Sequence, residues 1–146
     1  MFSVTTNGTI MTPRIIDFLA ENDFRLVVSV DGPEEVHNKN RRYAKNGAGT
    51  FQYVYANLIK IRNQKIELYN NILISAVVEP DVDPNLSVDY FENDPIFQPL
   101  EVMINSVSDD YIDDIYVQSE EYDCYEKTKE FKEIVITNND KLQFCL

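Results

Sequence analysis

The chain has 146 residues, 44% of them hydrophobic and 26% charged, which is enough for one globular domain with its own core and unlike a disordered chain. A formal net charge of −12 excludes the positive footprint that nucleic-acid backbones and anionic membrane surfaces require, and no apolar run is long enough to span a bilayer. The polar opening from Phe2 to Thr6 does not look like a signal peptide, so the cytoplasm is the expected compartment.

Phe2–Thr6 is β-rich and stops at Asn7-Gly8, a strong turn pair. Thr12-Pro13 supplies an N-cap and a first-turn proline, and Ile15, Ile16, Phe18 and Leu19 follow at helical spacing, predicting a helix from about Pro13 to about Asn22. Leu26–Pro33 comes next. Its nearly unbroken apolar start predicts a strand buried on both faces, with a polar Ser29 just before the Asp31-Gly32-Pro33 stop. Strand, helix and strand in this order imply a right-handed crossover and two parallel strands. Residues 34–48 are polar and read as a long loop carrying the basic cluster of the chain.

Thr50 is expected to cap a second helix with the stripe Phe51, Val54, Leu58 and Ile61, ending near Asn63. Leu68–Val78 contains a third strand, clearest over 72–78, and Asp83-Pro84 opens a short helix to about Glu92. Asn93–Pro99 is rich in turn formers, and Glu101–Val107 reads as a fourth strand. Ser108–Asp114 is an acidic connection. Glu120–Glu133 is expected to be a helix with Tyr125, Thr128 and Phe131 inward, while Glu133–Thr137 and Leu142–Leu146 leave a hairpin open as an alternative. The expected class is α/β, a single domain over residues 1–146 with about four parallel strands and outer helices, either an open sheet or a barrel segment. Its exposed edge calls for a dimer partner, a cover or a larger assembly.

Chemistry is expected where parallel strands end. Thr6, Asn7 and Gly8 on one strand and Ser29 on the next offer hydroxyls, an amide and turn N–H groups to a small polar ligand, although each motif alone also serves as a turn or strand stop. Arg41 and Arg42 have the chemistry to clamp a carboxylate. His37, the single histidine, rules out a histidine-based triad or multi-histidine metal site and is assigned a capping or surface role. Cys124 and Cys145 are too isolated for a metal site and read as plain thiols. No phosphate-loop or dinucleotide spacing is present.

Thr5-Thr6-Asn7-Gly8-Thr9, then Ser29-Val30-Asp31-Gly32-Pro33, His37-Asn38-Lys39-Asn40-Arg41-Arg42, Gly47-Ala48-Gly49-Thr50-Phe51 and Asn57 together resemble radical SAM enzymes. The resemblance is to the branch that modifies peptides and proteins, which includes the anaerobic sulfatase maturases and their SPASM-bearing relatives, and it covers about Phe2–Pro80. It implies a partial (β/α)6 TIM-like barrel of which this chain supplies roughly the third to sixth units. It further implies that Ser29 and Arg41 contact S-adenosylmethionine and that Thr6, Asn7 and Gly8 line the same pocket.

The family's CxxxCxxC loop for a 4Fe-4S cluster, its first two strands, its Gly-Gly-Glu segment and its SPASM cysteines are missing, and Asn38 stands where an aspartate is common. Without cluster thiolates there is no reductive cleavage of the cofactor. The expectation is therefore a fragment, with no catalytic or metal-binding residue of its own and weak or absent binding of S-adenosylmethionine. In the parent enzyme a 5′-deoxyadenosyl radical would modify a peptide or protein side chain. The alternative is a naturally short, cluster-less accessory module that dimerises through its sheet edges.

Overall fold

The computed structural model describes residues 2–79, 82–106 and 142–144. Their elements are β1 (Phe2–Thr6), α1 (Pro13–Glu21), β2 (Phe24–Ser29), α2 (Glu34–Asn40), α3 (Phe51–Gln64), α4 (Ile66–Asn70), β3 (Leu73–Val78), α5 (Pro84–Asn93), β4 (Glu101–Ser106) and β5 (Leu142–Phe144). The strands form one parallel sheet in the order β1-β2-β3-β4-β5. Four parallel strands with intervening helices are thus present as expected. Leu142–Phe144 adds a fifth, parallel to β4. The expected helix over 120–133, the acidic connection over 108–114 and the other hairpin arm over 133–137 lie outside the described residues, as do Cys124 and Cys145.

Local chemistry accounts for the helices. The Thr12 hydroxyl accepts the Ile15 N–H (3.3 Å) ahead of Pro13, and the Asp83 carboxylate accepts the Asn85 N–H (3.0 Å) ahead of Pro84. On α3 the predicted stripe Phe51, Val54, Leu58 and Ile61 is buried throughout.

Strands in sequential order with right-handed crossovers place every connecting helix on one face of the sheet. Burial agrees. Leu26, Val28 and Val30, Ile74, Ala76 and Val78, and Val102 and Ile104 are buried against the helices, while the intervening Arg25, Val27 and Ser29, Leu73, Ser75 and Val77, and Glu101, Met103 and Asn105 are only half-buried. The expectation that β2 is buried on both faces is corrected. Val27 is apolar although it faces the open side, which hides the alternation in the sequence. Arg25 and Glu101 on that open side form an ion pair of 2.5 Å.

Residues 34–48 are not one loop. Pro33 starts α2, and Glu34 and Glu35 in its first turn favour the helix dipole. The helix lacks an apolar stripe because His37 is its one fully buried side chain. After it, Arg42 and Gly49 form an antiparallel bridge across a turn. The short α4 was also not expected. Thr50 does not cap α3 with its side chain, because its own backbone is already helical (φ −99°, ψ −11°). The Phe51 N–H is instead accepted by Asn38 Oδ1 at 3.1 Å.

Gly8 turns the chain out of β1 with φ of 69°, and a Cβ there would come within 2.9 Å of Val28 Cγ1 and 3.1 Å of Val54 Cγ1. Gly47 has nearly the same φ, 68°, but open space around it. Gly8→Ala is therefore expected to destabilise by about 2–4 kcal/mol, combining backbone strain with overpacking, and Gly47→Ala by about 1 kcal/mol. Urea denaturation of the two variants checks this. Equal losses would contradict the close packing of β1, β2 and α3 at Gly8.

Candidate functional site

The parallel register sets Thr6 beside Val28, so the ends of β1 and β2 meet at one rim. Ser29 is the last residue of β2 and lies on the open face, and its hydroxyl has no side-chain partner among the described residues. Thr6 occupies the opposite, helix-facing set, where its hydroxyl accepts the Gly8 N–H at 3.1 Å. Asn7 is exposed; its Oδ1 accepts both the N–H (3.1 Å) and the hydroxyl (2.9 Å) of Thr9, leaving the amide hydrogens available. Gly8 is buried and its carbonyl accepts from Asn57 Nδ2 at 2.9 Å. Asn57 in turn accepts from Lys60 Nζ (3.2 Å), which also donates to the Met11 carbonyl (3.1 Å), so α3 holds the β1–α1 turn in place.

Beyond Ser29 the strand cannot continue through Gly32 and Pro33, and Asp31 completes its pairing with a side chain. Asp31 Oδ1 accepts the Val77 N–H of β3 at 3.0 Å. The same carboxylate grips Arg41 from the end of α2, with Nε to Oδ2 at 2.6 Å and Nη2 to Oδ1 at 2.9 Å. The Asp31 carbonyl accepts the Ser87 hydroxyl of α5 at 2.8 Å. The tight approach of Ser87 leaves no room for a Cβ on Gly32, whose φ is 148°. A bidentate fork spends two of the five guanidinium donors, so three on Nη1 and Nη2 remain for a ligand. Arg41 is part-exposed, at 29% of its side chain, whereas Asp31 is at 8%. The expected partner Arg42 is exposed and donates from Nη1 to the Gly47 carbonyl at 3.1 Å. The two arginines do not form a common clamp.

His37 has neither the capping nor the surface role assigned from sequence. It is completely buried, its Nε2 lies 3.0 Å from the Thr50 hydroxyl, and its ring meets Phe51 edge-on at 5.7 Å. Its polar neighbours made it look like a surface residue. Burial lowers its pKa to about 4; Asp31 opposes that shift and Arg41 reinforces it. Among the described residues no group of three or more His, Cys, Asp or Glu side chains is placed to hold a metal, and no helix is long and apolar enough to cross a membrane.

A parallel sheet in sequential strand order with its helices on one side, and an arginine fixed by an aspartate at its strand ends, has the architecture of a segment of an α/β barrel. No family model matches the chain. It is 34% identical over 73 residues to a cysteine-type anaerobic sulfatase-maturating enzyme of Clostridium novyi (strain NT), covering 50% of this chain and 19% of the relative. It is 30% identical over 93 residues to the radical SAM cyclopropyl synthase TigE of Paramaledivibacter caminithermalis, covering 64% of this chain and 17% of the relative.

Among solved structures, native anSMEcpe with bound AdoMet and Cp18Cys peptide superposes with a TM-score of 0.58 at 28% identity, over 71% of this chain and 27% of that one. The form with AdoMet and Kp18Cys peptide reaches 0.72 at 22% identity, over 97% and 39%, and extends the likeness in fold to nearly the whole chain. The chain's homologues are thus anaerobic sulfatase-maturating enzymes and other radical SAM enzymes, over part of its length. It spans about a fifth of the curated relatives it matches.

A histidine whose pKa falls on folding makes the unfolded chain bind more protons between the two values. Its contribution to stability is full above pH 6.5 and is lost as pH drops to about 4. The slope reaches at most about 1.4 kcal/mol per pH unit. His37→Gln should remove this part of the slope in denaturant titrations across that range. Unchanged slopes would contradict a neutral, buried His37.

Proposed function

We propose that this chain is a segment of a radical SAM maturase acting on a peptide or protein substrate, and that its strand-end rim holds the carboxylate of S-adenosylmethionine. One observation carries the reading: Arg41 is fixed by Asp31 at the end of β2, with donors to spare, within a segment homologous to enzymes of that chemistry. The AdoMet bound in anSMEcpe supports the cofactor assignment, and the Cp18Cys peptide bound there supports the substrate class.

Arg41 would bind the carboxylate end-on through Nη1 and Nη2, because Asp31 occupies the Nε side. The Ser29 hydroxyl, on the open face of the same strand end, would add a hydrogen bond. The Asn7 amide and the Gly8 turn would line the neighbouring strand end. Thr6 would act there by shaping the turn, since its hydroxyl holds the Gly8 N–H.

The cluster does not fit this chain. Its two cysteines, Cys124 and Cys145, cannot make a CxxxCxxC loop. In the full-length enzyme, cleavage of S-adenosylmethionine to a 5′-deoxyadenosyl radical is the chemistry the cluster-bound cofactor supplies; the residues here bind and orient, and the chain alone is catalytically incompetent. A second reading, a cluster-less accessory homodimer, is favoured by β1. It is an edge strand of the described sheet and exposes its own Phe2 (68%), with Phe18 (56%) exposed on α1.

An antibody against this chain, used to capture the native protein under anaerobic conditions, separates the readings. The proposal predicts a species well above 17.0 kDa that carries iron and cleaves S-adenosylmethionine under reduction. Arg41→Ala in that species should weaken cofactor binding about tenfold or more, the loss of a charge-assisted hydrogen-bond pair. A native species of 17.0 kDa that runs as a dimer would overturn it in favour of the accessory module.

A further inference from the structure

A guanidinium gripped by Asp31 is aimed only if the main chain that carries it is also fixed, and α2 is a short helix ending at that residue. The Arg41 N–H closes the last turn onto the His37 carbonyl at 3.0 Å. The Arg41 carbonyl then accepts twice from Thr50, from the N–H at 3.2 Å and from the hydroxyl at 3.0 Å. A hydroxyl has one proton, and Thr50 spends it on that carbonyl. His37 Nε2 lies 3.0 Å from the same hydroxyl oxygen, and because a carbonyl can only accept, both contacts are hydrogen bonds only when Nε2–H donates to Thr50. That arrangement is the Nε2–H tautomer, in which Nδ1 is a bare acceptor.

Nδ1 is buried and has no hydrogen-bond partner among the described residues. An unpaired buried acceptor is unfavourable, and a hydrocarbon ring would fill the space beside Phe51 without it. The imidazole at this place thus has a use other than packing.

We propose that His37 and Thr50 are positioning residues for Arg41. The chain of donors from His37 Nε2–H to the Thr50 hydroxyl to the Arg41 carbonyl holds the end of α2 while Asp31 holds the guanidinium, so Nη1 and Nη2 present a pre-formed edge to an anion at the strand end. This rests on reading Arg41 as the anion-binding side chain. A ligand carboxylate then meets an arginine whose rotamer is already chosen, and binding does not have to order a long side chain.

NMR on the 15N-labelled chain tests the relay without any ligand. Two-bond ring correlations should show His37 as the Nε2–H tautomer, with Nδ1 unprotonated, at neutral pH. The Arg41 Nε–H should be protected from solvent exchange. In His37→Phe, which keeps a packed ring but loses the donor, and in Thr50→Val, this proton should exchange about tenfold faster or more, while core amides such as Val28 and Ile74 keep their protection. His37→Gln, whose amide can donate from the position of Nε2, should restore most of the protection.

An Nδ1–H tautomer in the unmodified chain would overturn the proposal on its own. So would Arg41 protection that survives both His37→Phe and Thr50→Val in a folded core. The tautomer reading needs no variant, so it decides even where a variant fails to fold. Since no cofactor enters, these outcomes are separate from the fate of the S-adenosylmethionine reading, which fails only if Arg41→Ala leaves cofactor binding unchanged in the native enzyme.

Discussion

The Asp31 carboxylate is the point on which the end of this sheet depends. Its side chain is 8% exposed, and a buried acid is tolerated only when paired and hydrogen-bonded. It meets that condition by accepting from the β3 backbone at Val77 and from Arg41 at the end of α2, while the Asp31 carbonyl accepts the Ser87 hydroxyl of α5. The arginine assigned to ligand binding is therefore also structural. Removing it leaves a buried charge at the strand end, so its effects on binding and on stability are coupled.

Sequential strand order gives this site its setting. All helices sit on one side, and the opposite face carries a mixed set of side chains, with Arg25 and Glu101 paired across it and Ser29, Ser75 and Asn105 nearer the strand ends. A sheet of this kind has a dry side that supplies stability and an open side that carries polar groups near the strand ends. The tight turns at Gly8 and Gly32 and the pinning of the β1–α1 turn by Asn57 and Lys60 keep the rim in place between them.

Much of this was legible in the sequence where a feature is local. Thr12-Pro13 and Asp83-Pro84 announced two helices, the stripe from Phe51 to Ile61 announced a third, and the strand ends at Asn7-Gly8 and Asp31-Gly32-Pro33 marked the rim. What was missed depends on contacts between distant residues or on signals that cancel. The α2 segment turns one buried side chain inward, and it is polar, so no periodicity betrays it. Val27 masks the open face of β2. The Asp31–Arg41 pair, the Asn38 cap on α3 and the His37–Thr50 contact all depend on α2 being a helix.

The most direct test of this account is a double-mutant cycle between Asp31 and Arg41, using Asp31→Asn, Arg41→Gln and the pair, with stability read by urea denaturation. A bidentate, largely buried pair that anchors the strand end predicts a coupling of about 1.5–3 kcal/mol, the double variant being far less damaged than the sum of the singles. A coupling near zero would mean that the two side chains act independently, and the strand-end site described here would not stand.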